Sequence, residues 1–293
     1  MSARAVGPKR TASGPLEAFV LHSYDWSESS LILDLFTRER GRLAVAAKGA
    51  KRPYSQYRSV LLPFQRLHVS LAKSLADEAA EVHTLRQAEW AGGWPMLSGA
   101  ALFRGFYCNE LVMKLLARQD PHPALFEAYA LTLPGLVEGS EPAREQAALR
   151  AFELLLLRET GLLPDLSVVT LTLQPVAPQQ RYVLVPEAGV MVAREEAGSL
   201  SGEQLLQLQA ALQQGESVAA TVGALQRACL STLSTVPTLA PMALARIWAR
   251  VVLPEPELPT KATTSPGAMC KSMRSSALGK SGWYCTDTPR NSI

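Results

Sequence analysis

Between Glu17 and Glu89 the chain alternates apolar and polar side chains in five short runs, "EAFVLHSY", "SLILDLFT", "GRLAVAAKG", "PFQRLHVSLAK" and "EVHTLRQAE". Period two puts every second side chain on one face, so each run predicts a strand with one buried face. Turn chemistry at Asp25 to Ser27 and at Arg40-Gly41 separates the runs. Five strands packed so closely along the chain fit a small closed barrel of the OB type better than an open sheet, whose edges would be left bare. Such barrels carry many functions, so function has to come from particular residues.

After Trp90 the texture becomes helical. "SGAALFRGFYCNELVMKLLAR" places Ser98 as an N-cap and is apolar around most of its circumference, as a central bundle helix is. "PHPALFEAYALTLPGLVEG" and "EPAREQAALRAFELLLLRETG" follow, the second with Pro142 near its start and Gly161 at its end, where helix boundaries favour them. A Pro-punctuated stretch near 162–192 contains the strand-like "RYVLV", and "SGEQLLQLQAALQQ" and "SVAATVGALQRACL" return to helix. The expected fold is therefore α+β, an N-terminal five-stranded OB-type β-barrel followed by a mostly α-helical domain. The expected organisation is a disordered arm at 1–14, the barrel at 15–90, the helical domain at 91–230, and an atypical, poorly ordered tail at 231–293 rich in Pro, Ser and Thr.

Charge is the second signal. From Arg38 to Lys73 nine basic residues stand against the single acid Glu39, a net +8; with the whole chain at +3, the remainder sums to −5. A polyanion is the partner this asymmetry suggests. Lys48, Lys51, Arg52 and Arg58 fall in a loop that Pro53 stiffens, with Tyr54 and Tyr57 interleaved. Cations for a phosphate backbone and aromatic faces for bases are what a single-stranded nucleic acid needs.

Readings as an enzyme lack their residues. "LGKS" at Leu278 to Ser281 ends like a phosphate loop, but Arg274 stands where the leading glycine is required. Lys48 in "AKGAKR" lacks the Asp-Gly that follows a nucleotidyltransferase lysine, and no triad or paired-carboxylate motif is present. Cys108, Cys229, Cys270 and Cys285 have neither zinc-site nor disulfide spacing, and the four histidines form no ligand pair, so no metal and no cofactor is expected. No apolar run approaches membrane length, and the N-terminal "MSARAVGPKRTASGP" has no apolar segment of a signal peptide, so a cytoplasmic protein is expected.

The stretch "EAFVLHSYDWSESSLILDLFTRERGRLAVAAKGAKRPYSQYRS" resembles the N-terminal barrel of the bacterial RecO family of recombination mediators. "FYCNELVMKLL", "HPALFEAYALTL" and "LRAFELLLLRETGLLPDL" resemble that family's helical domain in order and spacing, so the likeness covers roughly residues 15 to 228. The resemblance implies a non-enzymatic, nucleoid-associated DNA repair protein that binds single- and double-stranded DNA and anneals complementary strands. It also implies contact with the C-terminal tail of single-stranded DNA-binding protein, and with RecR, to load RecA indirectly. On this resemblance the DNA surface lies on the barrel, at Arg38, Arg42, Lys48, Lys51 and Arg52, with Tyr54, Tyr57 and Arg58 beside them. Some family members carry a four-cysteine zinc site after the helices; the segment "LPDLSVVTLTLQPVAPQQRYVLVPEAGVMV" has no cysteine, which implies a zinc-free version. The segment after the "LQRA" helix does not resemble the family's basic C-terminal helix. The alternative is a general OB-type module for single-stranded RNA or DNA without a mediator role.

Overall fold

The computed structural model describes residues 14–72, 81–137, 141–185, 188–195, 199–213 and 217–235. Residues 1–13 of the expected arm, Lys73 of the basic window and the expected tail from 236 onward lie outside the described residues.

Strands β1 (Leu16–Asp25), β2 (Leu31–Thr37), β3 (Gly41–Ala47), β4 (Arg66–Leu71) and β5 (Val82–Trp90) close a barrel in the order β1-β2-β3-β5-β4. β4 returns to pair with β1, and every neighbouring pair is antiparallel except β3 with β5. This is the OB-type barrel that the alternation predicts. Ala18, Val20, Leu33, Leu35, Leu43, Val45, Leu67 and Val69 fill its interior. A single helical turn, α1 (Tyr57–Val60), packs Tyr57 and Val60 against that interior from the loop after β3.

The helical half comprises α2 (Gly99–Leu115), α3 (Pro123–Thr132) with a 3₁₀ turn at Leu133–Leu136, α4 (Pro142–Glu159), α5 (Gly202–Gln213) and α6 (Val218–Thr235). Between α4 and α5 a small antiparallel sheet runs in the order β7 (Gly189–Val192), β6 (Arg181–Val185), β8 (Leu200–Ser201). Pro142 takes the first position of α4. Gly161 follows its end at φ 71°, a left-handed stop that side chains with a Cβ adopt at a cost. Helix α6 continues to Thr235, past the expected boundary at 230.

The middle of β1 and β2 is buried on both faces, which simple alternation does not anticipate. The cause is the helical half, which covers their outer side. Phe19 and Phe36 turn out of the barrel and meet Phe126 at ring distances of 5.1 and 5.4 Å, while Tyr129 stands 4.9 Å from Phe19. A β-bulge between Val20 and His22 leaves Leu21 outside the strand register, and the Asn109 amide of α2 donates to the Leu21 carbonyl at 2.9 Å. Tyr129 in turn donates to the Asn109 Oδ1 at 2.5 Å, so a backbone acceptor released by the bulge is satisfied within the interior.

Arg42 is the correction this interface imposes on the sequence reading. Its residue is only 8% exposed and its guanidinium lies between the barrel and α2 instead of facing solvent. Nη2 donates to the Asp34 carboxylate at 2.7 Å and Nε at 3.3 Å, while Nη1 donates to the carbonyls of Met113 and, at 2.8 Å, Leu116. The guanidinium of Arg42 is therefore committed to the interior and is withdrawn from the phosphate-binding set. The register explains why. Arg42 shares the outer face of β3 with Ala44 and Ala46, and α2 ends over its start. Beside it the segment after α2 supplies the missing neighbour of β3: the Gln119 amide donates to the Arg42 carbonyl at 2.9 Å. The approach is so close that a Cβ on Gly41 would lie 1.9 Å from the Asp120 carbonyl oxygen.

Removing one partner of a buried ion pair costs about 3–5 kcal/mol, and Arg118, 3.9 Å from Asp34, offsets only part of the lost charge because it is half exposed. Arg42→Ala should lower stability in urea unfolding by about that amount, and adding Asp34→Asn should recover part of it. A loss within the ~0–1 kcal/mol of an exposed charge would contradict the buried role.

Candidate nucleic-acid interface

The structure divides the basic window between the two ends of β3. Arg38 and Arg40 sit in the β2–β3 turn, whereas Lys48, Lys51, Arg52 and Arg58 lie beyond the other end, roughly 20 Å away at the rise of an extended strand. The turn end is largely neutralised. Arg38 lies 3.2 Å from Glu127 and 3.7 Å from Glu17, and Arg66 binds the same Glu17 at 2.7 Å. Arg40 Nη2 stands 3.4 Å from the His83 ring nitrogen.

The loop end keeps its charge. Lys48, Arg52 and Arg58 are exposed, and among the described residues none of them has a carboxylate within ion-pair distance. Lys51 is the exception, 3.1 Å from Asp25. The loop is held by successive turns, with the Arg52 amide donating to the Gly49 carbonyl at 3.2 Å, Ser55 to Arg52 at 3.0 Å and Arg58 to Ser55 at 3.3 Å. It is also tied to the β1–β2 loop, because the Lys51 amide donates to the Ser29 carbonyl at 3.0 Å. A loop with its own backbone bonds presents cations without the ordering cost that a free chain would carry.

The two expected aromatics part company. Tyr54 is 99% exposed. Tyr57 packs its ring against the barrel interior and donates its hydroxyl to the Arg86 carbonyl at 3.0 Å, so its face is committed to closing the barrel and it leaves the set of stacking residues. Three further residues that no sequence pattern marks stand on this rim. Arg86 on β5 is exposed beside Tyr57, and Tyr24 and Trp26 are exposed on the hairpin next to Lys51. Arg86 is distant in sequence, and a lone tryptophan in a turn contributes to no periodic pattern. The one signal was Trp26 itself, a large apolar residue among Asp, Ser and Glu.

Comparison with known proteins decides the family. The model "Recombination protein O N terminal" matches residues 15–94 and "Recombination protein O C terminal" matches 97–233. Proteins named DNA repair protein RecO are similar over most of this length. One from Variovorax paradoxus is 53% identical over 208 residues, covering 70% of this chain and 79% of that protein. One from Verminephrobacter eiseniae is 51% identical over 232 residues, covering 79% and 90%.

The chain belongs to the RecO family.

The RecO N-terminal match spans the whole barrel with both ends of β3, and the C-terminal match ends within α6. In the RecO helical half a second group of ionisable side chains lies inside the bundle. Arg150 is paired with Glu153, and Tyr107 donates to Glu153 Oε1 at 2.8 Å. Burial pushes the Glu153 carboxyl above its ordinary range, the Cys108 thiol well above its own, and the Cys229 thiol up to about 12. Both thiols are thus protonated at neutral pH and closed to solvent, which is the setting of inert structural cysteines. Among the described residues no three metal-ligating side chains gather, and no helix is long and apolar enough to cross a membrane.

Proposed function

We propose that this chain acts in DNA repair as a non-enzymatic recombination mediator, binding DNA through the β3–α1 loop end of its barrel. Single strands and duplexes share the phosphate backbone that Lys48, Lys51, Arg52 and Arg58 would contact, which suits both binding and the annealing of complementary strands. The observation that carries this reading is the exposed Lys48, Arg52 and Arg58, without a carboxylate partner among the described residues, on an OB-type barrel of the RecO family. Its working place is the cytoplasm, at the nucleoid, with RecR as protein partner and RecA loading as the outcome.

The mediator reading, as opposed to a general single-strand binding module, also needs a seat for a second protein. A groove of about 640 Å³ between α4 and α6 is lined by Leu230, Gln226, Glu141, Arg144 and Arg227, with Arg144 paired to Glu141 at 3.4 Å. The exposed Arg227 beside Leu230 is the cation that an acidic, apolar peptide such as the C-terminal tail of single-stranded DNA-binding protein would meet there.

Anisotropy titrations with a fluorescent oligo(dT) test the DNA surface. Replacing Lys48, Lys51 and Arg52 together by Ala should weaken binding nearly independently of base sequence, and should flatten the log–log salt dependence by about 0.7 for each phosphate left unneutralised. Replacing Arg38 and Arg40 should leave the slope almost unchanged. Equal slopes for the wild type and the loop variant would place the DNA surface elsewhere.

A synthetic peptide with the acidic, apolar tail should bind the wild type at low salt and lose binding to the double variant Arg144→Glu, Arg227→Glu. Absence of binding to the wild type would favour the general single-strand module.

A further inference from the structure

The hairpin end of β1–β2 carries an exposure that folding does not explain. The last four residues of β1, His22 to Asp25, are all exposed, although the strand's middle is buried on both faces. Tyr24 is 46% and Trp26 58% exposed, and the His22 and Tyr24 rings meet at 4.4 Å, edge to face. Aromatic surface left in water at a loop tip forgoes the stabilisation that burial would bring.

The position of these rings is defined by backbone bonds. The Trp26 and Ser27 amides both donate to the Ser30 carbonyl, at 3.3 and 3.4 Å, which closes the loop on itself. Lys51 then bridges the residues flanking the tryptophan, its ammonium 3.1 Å from Asp25 and 3.2 Å from the Ser27 carbonyl. The register places Tyr24 opposite Ile32, and Ile32 opposite Ala46, so Tyr24 borders the outer face of β2 and β3. The outer face of β2 and β3 is itself closed, with Asp34, Phe36, Arg42, Ala44 and Ala46 buried, so of the surface where oligonucleotides lie on OB-type barrels the β1–β2 loop is the part left open here. The cations of the neighbouring loop and the aromatic faces of this one therefore form one rim.

We infer that Trp26, with Tyr24 beside it, is a stacking ledge for unpaired DNA bases and gives this chain its discrimination between single strands and duplexes. The inference rests on the reading of the β3–α1 loop as the phosphate surface and assigns a different task to the adjacent loop. Phosphate contacts are common to both forms of DNA, but only an unpaired base offers its face to an aromatic ring. The charge complementarity of Lys48, Lys51 and Arg52 sets the occupant as a polyanion, and the exposed rings set it as one with free bases.

The test uses the full chain, anisotropy, and three probes of equal length: oligo(dT), a blunt DNA duplex and oligo(rU). Trp26→Ala should weaken oligo(dT) binding by about 5- to 150-fold, the range of one base–aromatic stack. Its salt slope and its duplex affinity should match the wild type, and Trp26→Phe should keep most of the oligo(dT) affinity. Unchanged oligo(dT) affinity in Trp26→Ala overturns the ledge, as does an equal loss for the duplex. If Trp26→Ala loses nothing while the Lys48, Lys51, Arg52 variant loses both affinity and slope, the ledge alone fails; if neither variant changes anything, the phosphate surface fails with it. A wild-type preference for oligo(rU) that Trp26→Ala abolishes overturns DNA as the occupant.

Discussion

The contact on which the rest of the arrangement depends is the guanidinium of Arg42 between Asp34 and the C-terminal end of α2. A helix ends with carbonyls that have no intrahelical donor and with a partial negative charge. Arg42 meets both needs at once, donating to Met113 and Leu116 while its own charge is balanced by a carboxylate on the neighbouring strand. A barrel side chain thus completes a helix of the other half. The Asn109 amide, filling the acceptor that the β1 bulge releases, is the reciprocal contact from helix to barrel. Between these two polar pins the rings of Phe19, Phe36, Phe126 and Tyr129 form one apolar cluster shared by both halves.

Docking of the helices also decides where charge is available. Glu127 of α3 reaches the β2–β3 turn and, with Glu17, balances Arg38 and Arg66 there. Arg118, just beyond α2, comes within 3.9 Å of Asp34 and so adds a second cation to the buried carboxylate. The opposite end of β3 receives no carboxylate from the helical half among the described residues, and of the loop cations Lys51 alone meets one, Asp25. A run of charge that is continuous in sequence is therefore balanced by carboxylates at one end and largely without them at the other.

The sequence was legible where one physical rule dominated. Alternation alone located all five barrel strands, and Pro142 with Gly161 marked the limits of α4, because burial of one face and the stereochemistry of helix ends are local effects. It was misleading where two halves meet. Arg42 follows the alternation of β3 and reads as an exposed cation; only the end of α2, more than seventy residues on, turns its face into an interior. Tyr57 reads as a loop aromatic because the four-residue turn that points it into the barrel is too short to leave a pattern. Trp26 and Arg86 join the rim through folding of distant segments, and two-residue β8 carries no periodicity at all.

Amide hydrogen exchange of the full chain, with and without saturating oligo(dT), tests the division of the basic window most directly. Exchange should slow in the β1–β2 loop around residues 24–30 and in the loop at 48–58, with the β2–β3 turn at 38–40 unchanged. Protection centred on Arg38 to Arg42, with both loops exchanging as in the free protein, would contradict that division.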